Sequence, residues 1–247
     1  MPTRFGLRVY APDALRCRSR CSIFLVLVSR TSNSFQGPFL AKRIEENIHL
    51  GITHGLLSDF RWLLVSATLA TIGGAFLIPT FQRIFSRAVL HFQVHRSVPR
   101  LLMHGFFKGG LAQLKDVASI PVAANVTQMR VGTGISPWVI LLNVAAVALW
   151  TIGVFASLYA GYLNPELRVT SSTLSSVVNG VATIMMFVFI DPHMSVMTDD
   201  VVEGKTSEPE FRKAIVLLVG SRLAGTLLAQ ALLVPSALAI AFVARAM

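Results

Sequence analysis

Four stretches of this chain contain no charged residue: Trp62 to Thr80, Pro137 to Leu163, Val169 to Ile190 and Leu223 to Ala244. Roughly 20 helical residues, each rising about 1.5 Å, cross a hydrocarbon core about 30 Å thick, so every run is long enough to span. Lipid offers a peptide group no hydrogen-bond partner, and a helix satisfies its backbone within one segment. The sequence therefore reads as an all-α integral membrane protein. The overall balance agrees, with 53% apolar and 14% charged residues, against about 25% charged in a soluble domain. A soluble helical bundle is the alternative, and four such runs count against it.

A shorter apolar stretch starts near Ser22 and adds a first crossing, which gives a polytopic bundle of about five spans within a membrane domain at 22–247. Basic residues mark the cytoplasmic side of a membrane protein. Arg4, Arg8, Arg16, Arg18 and Arg20 precede the first crossing, and Arg83, Arg87, Arg96, Arg100, Lys108 and Lys115 follow the second. Both stretches are then cytoplasmic, whereas 41–61 and the turn Asn164 to Val169 are external. Between Phe81 and His95, Phe81, Phe85, Ala88, Val89 and Phe92 share a helical face, with Arg83, Arg87 and His91 away from it. This pattern predicts a basic amphipathic surface helix, either recruiting anionic lipid or simply anchored at the interface.

The net charge of +10 fits anionic headgroups better than nucleic acid, for which no motif is present. Cys17 and Cys21 stand without a second pair, and His91 and His95 without a nearby carboxylate, so neither pair reads as a metal site. The sequence holds no HExxH, GxSxG or Walker phosphate loop, so no ATP-driven pump resides in this chain alone. No cofactor is expected.

The chemistry concentrates around Arg30. A helix starting near Ser22 places it about 12 Å along its axis, inside the hydrocarbon. A charge at the bilayer centre costs about 2.5–3.5 kcal/mol on insertion scales, so it tends to meet an anion, a wet cavity or an interface. Thr31, Ser32, Asn33 and Gln36 add polar groups beside it, and Lys42 and Arg43 follow. Gly37–Pro38 predicts a helix break between them, with a new N-terminus whose free N–H groups favour an anion. The stretch reads as an anion-binding pocket reached from the membrane, or as a helix end at the outer interface with Lys42 and Arg43 in water. Arg222 is expected at the cytoplasmic edge of the last span, or within the membrane if that span starts near Ala214. Asp199, Asp200 and Glu203 are the densest carboxylates, candidates for proton or cation coupling or simply a solvated loop. Asn143, Asn179 and Gln230 lie within spans, where amides often join neighbouring helices.

The segments LVLVSRTSNSFQGPFLAKRIE, DPHMSVMTDDVVEGK and GSRLAGTLLAQALL resemble the Amj family of bacterial lipid II flippases, an alternate to the MurJ type, over roughly Ser22 to Met247. The resemblance implies a multi-pass protein of the bacterial cytoplasmic membrane that moves the undecaprenyl-diphosphate-linked precursor from the inner to the outer leaflet. It also implies six spans, one before the LVSRTSN segment. Here 1–21 is rich in arginine, carries Pro2 and Pro12 and cannot span, which reads as an altered start; a further helix would invert the N-terminal side. Expected partners are lipid II or a related polyprenyl-diphosphate lipid, anionic membrane lipids and proteins of peptidoglycan synthesis. Arg30, Thr31, Ser32, Asn33, Gln36, Lys42, Arg43 and Arg222 are the expected substrate contacts by their chemistry. The competing functions are a membrane enzyme acting on polyprenyl phosphates through Asp199 or Asp200 and a metal, and a non-catalytic scaffold of envelope assembly.

Sidedness is testable directly. Single cysteines placed between residues 83 and 115 should resist a membrane-impermeant thiol reagent in intact cells, while one in the turn at 164–169 should react.

Overall fold

A computed structural model describes residues 12–50, 55–95 and 135–247; the side chains of 12–26, 30, 32, 33, 82–95, 202 and 208 lie outside that description. The expected basic stretch at 96–134, the two cysteines and the polar and apolar faces of 82–95 fall outside it as well. The described regular structure is helical: α1 (Pro12–His49), α2 (Leu56–His95), α3 (Pro137–Leu163), a 3₁₀ turn (Pro165–Leu167), α4 (Arg168–Thr173), α5 (Ser175–Met185), a π-helical turn (Met186–Ile190), α6 (Asp191–Val202) and α7 (Glu208–Ala246). Four of its segments are long and apolar enough to cross a membrane: Leu56–Phe81, Pro137–Leu163, Pro165–Val201 and Pro209–Ala246. The protein is an all-α polytopic membrane protein.

Two expectations change. The first expected crossing is helical as α1, and the four apolar segments all follow it, since Ser29 to Ser34 dilute its own apolar stretch. Gly37–Pro38 does not break α1, which runs through Pro38. A proline ring crowds the Cβ of the residue before it; glycine has none, so position 37 stays helical. Phe81 to His95 is not a separate surface helix either. It continues α2 beyond Pro79, since no glycine or proline follows to stop the helix.

The chain divides into two compact units. The first holds 12–36 and 74–95 among the described residues. Its side chains Leu27, Val28, Phe35, Phe76 and Phe81 are exposed, and the Thr31 hydroxyl donates to the Leu27 carbonyl at 2.9 Å.

The second unit holds 37–50, 55–73 and 135–247. One apolar cluster joins Leu40 and Ile44 of α1, Phe60 and Leu64 of α2, Ile152, Phe155 and Ala156 of α3, and Ala229, Leu233 and Ala237 of α7. Phe60 is fully buried, its ring centroid 5.8 Å from that of Phe155 and 6.1 Å from that of Tyr159, edge-on to the latter. A second cluster gathers Ile135, Met197, Ala214 and Leu218. Leu141, Val177, Ile184, Phe187, Leu227 and Phe242 face outward, as lipid-facing side chains do.

Helices in lipid gain little from burying apolar surface; they associate through close packing, which small residues permit. Along α7 the buried positions Ser221, Gly225, Ala229, Leu233, Ala237 and Ala241 recur every four residues, which lines them up on one face. At Gly225 a Cβ would stand 2.8 Å from Val147 Cβ and 2.9 Å from the Val144 carbonyl oxygen. The backbones of α3 and α7 therefore touch there.

Local chemistry sets the ends. Ser136 caps α3 by accepting from Trp138 N at 3.4 Å, with Pro137 in the first turn. The π turn precedes Pro192, and the Asp191 N–H donates to the Met186 carbonyl. Pro192 has no N–H to give the Val188 carbonyl, and the wider turn accommodates that loss. Gly204 adopts a positive φ of 76° and closes α6: its N–H reaches Val201 O at 3.2 Å and the Lys205 N–H reaches Asp200 O at 2.8 Å. This double bond pattern satisfies carbonyls that a helix end leaves free.

The packing at Gly225 generates a contrast. Gly225→Val should destabilise the protein by about 1–3 kcal/mol through overpacking. Gly220→Ala, where a Cβ meets nothing within 4 Å, should be tolerated. Melting temperatures of the two variants in detergent would compare them.

Candidate functional site

The cationic stretch of α1 divides between the two units. Arg30, Thr31, Ser32, Asn33 and Gln36 belong to the first, Lys42 and Arg43 to the second. Thr31 is exposed and Gln36 half-buried. Arg30, Ser32 and Asn33 sit on the α1 backbone; their side chains are outside the described set. Because α1 continues through Pro38, no helix N-terminus opens there. The expected cluster of free backbone donors is absent from residues 38–42, and side chains are left to meet an anion.

Lys42 is exposed and lies 3.8 Å from Glu46 one turn on. Arg43 forks onto Asp59 in the first turn of α2, with Nε at 3.0 Å and Nη2 at 2.7 Å from the same carboxylate oxygen. Arg168, in the first turn of α4, pairs with Glu45 at 3.4 Å. Arg245, in the last turn of α7, donates to Asn164 at the end of α3. Five helix ends of the second unit are thus linked by polar ties at one end. Exposed ion pairs of this kind contribute about 0–1 kcal/mol, so an incoming anion can exchange for their carboxylates at small cost.

Arg222 does not join Lys42 and Arg43. It is exposed on α7, and at about 1.5 Å per residue it lies about 35 Å along that helix from Arg245. A hydrocarbon core is about 30 Å thick. One headgroup cannot bridge Arg222 and the Arg43 end, so these are two separate cationic positions, and Arg222 falls within the last apolar segment, Pro209–Ala246. The reason is helix length: α7 continues well beyond Arg222 in both directions.

The interior polar groups fall into two kinds. The Asn143 carboxamide on α3 donates to Ser221 Oγ at 2.6 Å and to the Leu218 carbonyl at 3.3 Å, tying α3 to α7. Ser221 Oγ in turn donates to Leu218 O at 2.8 Å. Gln230 on α7 donates to Thr68 Oγ1 on α2 at 3.4 Å. These two amides join neighbouring helices, as expected of spans. Asn179 on α5 behaves differently. It packs against Gly153 of α3, and its Oδ1 is buried without a partner.

Among the described residues, Asn143 Oδ1, Ser157 Oγ, Ser171 Oγ and His193 Nε2 share that condition. Each buried, unmade hydrogen bond costs about 1–3 kcal/mol. Ser157 and Ser171 are missed by sequence reasoning. A serine within an apolar run normally bonds back to its own helix, so its type alone carries no signal; its complete burial without a partner does.

In α6, Asp199 is exposed and Asp200 half-buried, and Glu203 pairs with Lys205. Among the described residues no three His, Cys, Asp or Glu side chains are grouped to hold a metal ion.

Residues 16–244 match the Amj family, described as alternate to MurJ. The chain is 36% identical over 232 residues to the lipid II flippase Amj of Bacillus subtilis (strain 168), covering 92% of this chain and 85% of that relative. No solved structure matches it. With its several apolar helices and a match across nearly its whole length, this multi-pass membrane protein belongs to the Amj family.

Proposed function

We propose that this protein is a flippase that carries lipid II, the diphosphate-linked peptidoglycan precursor, from the cytoplasmic to the outer leaflet of the bacterial membrane. The likeness to a lipid II flippase over almost the entire chain carries this reading. The chemistry supports it from below. Such a lipid keeps its polyprenyl chain in hydrocarbon and brings a doubly charged linker and a hydrated head across it. Arg30 in α1 offers the linker a cation, with Thr31, Ser32, Asn33 and Gln36 as hydrogen-bonding neighbours in the sequence. Arg222 serves the receiving side and Lys42 and Arg43 the releasing side, in keeping with their separation along the spans. A carrier of this kind forms no covalent bond with its cargo, and the protein acts as a transporter rather than an enzyme.

Asp199, Asp200 and Glu203 are the carboxylates available to couple transport to a proton or a cation. Moving one charge through the membrane potential is worth about 2.3 kcal/mol per 100 mV. Anionic lipids and peptidoglycan synthesis proteins are the partners this reading expects.

Reconstitution into lipid vesicles with labelled lipid II tests the proposal, the readout being lipid II exposed at the far leaflet over time. The wild type should accelerate exposure; no acceleration would overturn the reading. Arg30→Gln should slow it at least about tenfold, the effect of losing about 1.4 kcal/mol of stabilisation on the path. Lys42→Gln, at an exposed and weakly paired position, should change the rate less than Arg30→Gln. The double change Asp199→Asn with Asp200→Asn should flatten the dependence of the rate on an imposed proton gradient.

A further inference from the structure

The seam between α3 and the α4–α5 segment has an unusual composition. On α3, Gly153, Ser157 and Gly161 recur every four residues and so share one face. A Cβ at Gly153 would overlap the Asn179 carboxamide, and one at Gly161 would come within 3.1–3.3 Å of Arg168 Cγ, Cα and O. The two contacts fix an antiparallel register: the start of α4 lies at Gly161 and the middle of α5 at Gly153. Ser157 stands one turn from each glycine, in the centre of the seam. Ser171, one turn after Arg168, falls on the stretch between these contacts.

Ser157 and Ser171 are both 0% exposed, and Ser157 Oγ, Ser171 Oγ and Asn179 Oδ1 have no hydrogen-bond partner. By helical rise the three oxygens are strung over about 10 Å. A single cation holds its oxygen ligands within about 2.6 Å of itself, so the row is too long for one ion. It suits an extended neutral ligand that presents hydroxyl and amide groups in series.

We infer that this seam opens during transport and that Ser157, Ser171 and Asn179 form a hydrogen-bonding subsite for the uncharged sugars of the lipid head. The inference rests on the flippase reading and adds to it where the neutral portion of the cargo travels, away from the arginines that meet the diphosphate. The glycines let the helices close over the serines when the cargo is absent. Water supplies the same hydrogen-bonding chemistry as the sugar, and the test separates the two.

The probe is a small anionic methanethiosulfonate reagent acting on Ser157→Cys or Ser171→Cys in a Cys17→Ser, Cys21→Ser background, in vesicles. Ser207→Cys, at an exposed loop position, reports reagent access. Both seam cysteines should label. Lipid II at about ten times its dissociation constant should slow that labelling about tenfold, while undecaprenyl diphosphate, which lacks the sugar, should not. No labelling of either seam cysteine while Ser207→Cys reacts would overturn the opening. Labelling without protection by lipid II, or equal protection by the bare diphosphate, would mean that the seam admits water alone and would overturn the sugar assignment. Far-leaflet exposure of lipid II in wild-type vesicles reads the flippase proposal separately.

Discussion

The close approach of α3 and α7 at Gly225 is the constraint on which the second unit depends. Lipid removes the usual driving force for packing apolar faces, so contact must come from fitting backbones together. Gly225 supplies that fit against Val144 and Val147. With the two helices held this close, Asn143 reaches Ser221 and the Leu218 carbonyl, and the alanines further along α7 meet α3 in the same cluster as Phe155 and Phe60. The polar ties at one end, Arg43 to Asp59, Glu45 to Arg168 and Asn164 to Arg245, then follow from where the helices stop. They orient the ends but contribute little energy, because they are exposed to water.

The interior polar groups give the fold its functional character. Asn143 and Gln230 are tied across helices and behave as fasteners. Ser157 Oγ, Ser171 Oγ and Asn179 Oδ1 are unfastened, at the seam between α3 and the α4–α5 segment. A protein under selection for stability alone would do as well with alanine and leucine there, since replacing an unmet polar atom with an apolar one of similar shape is often neutral or stabilising. The contact of α3 with α7 is therefore tied across by hydrogen bonds, whereas its seam with α4–α5 carries unmet polar groups. A transporter needs both: a fixed partner, and a wall whose hydrogen bonds are completed only when cargo is present.

Residue by residue, the sequence exposes some of this and conceals the rest. The uncharged runs mark α3 and α7 because charge is too costly in hydrocarbon to hide. Asn143, Asn179 and Gln230 stand out for the same reason. Gly37–Pro38 misleads: its turn-like chemistry is outweighed by the helical preferences on either side, and glycine removes the steric conflict with the proline. Phe81 to His95 misleads in the opposite sense. Its amphipathic pattern is real, but pattern alone does not say where a helix starts, and α2 runs straight into it. Ser157 and Ser171 carry no signal in one dimension.

What the sequence determined by itself is that this chain crosses a membrane as helices, with its cations concentrated at 4–43 and 83–115. Both follow from local quantities, the length of an apolar run and the cost of a charge. Only the tertiary structure decided which polar side chains are partnered, that Arg222 and Arg43 are too far apart to share one headgroup, and which contact of α3 is hydrogen-bonded across and which is left unmet. Those depend on distances between segments remote in the chain, set by where a glycine lets one helix backbone meet its neighbour, and no local property of the sequence encodes them.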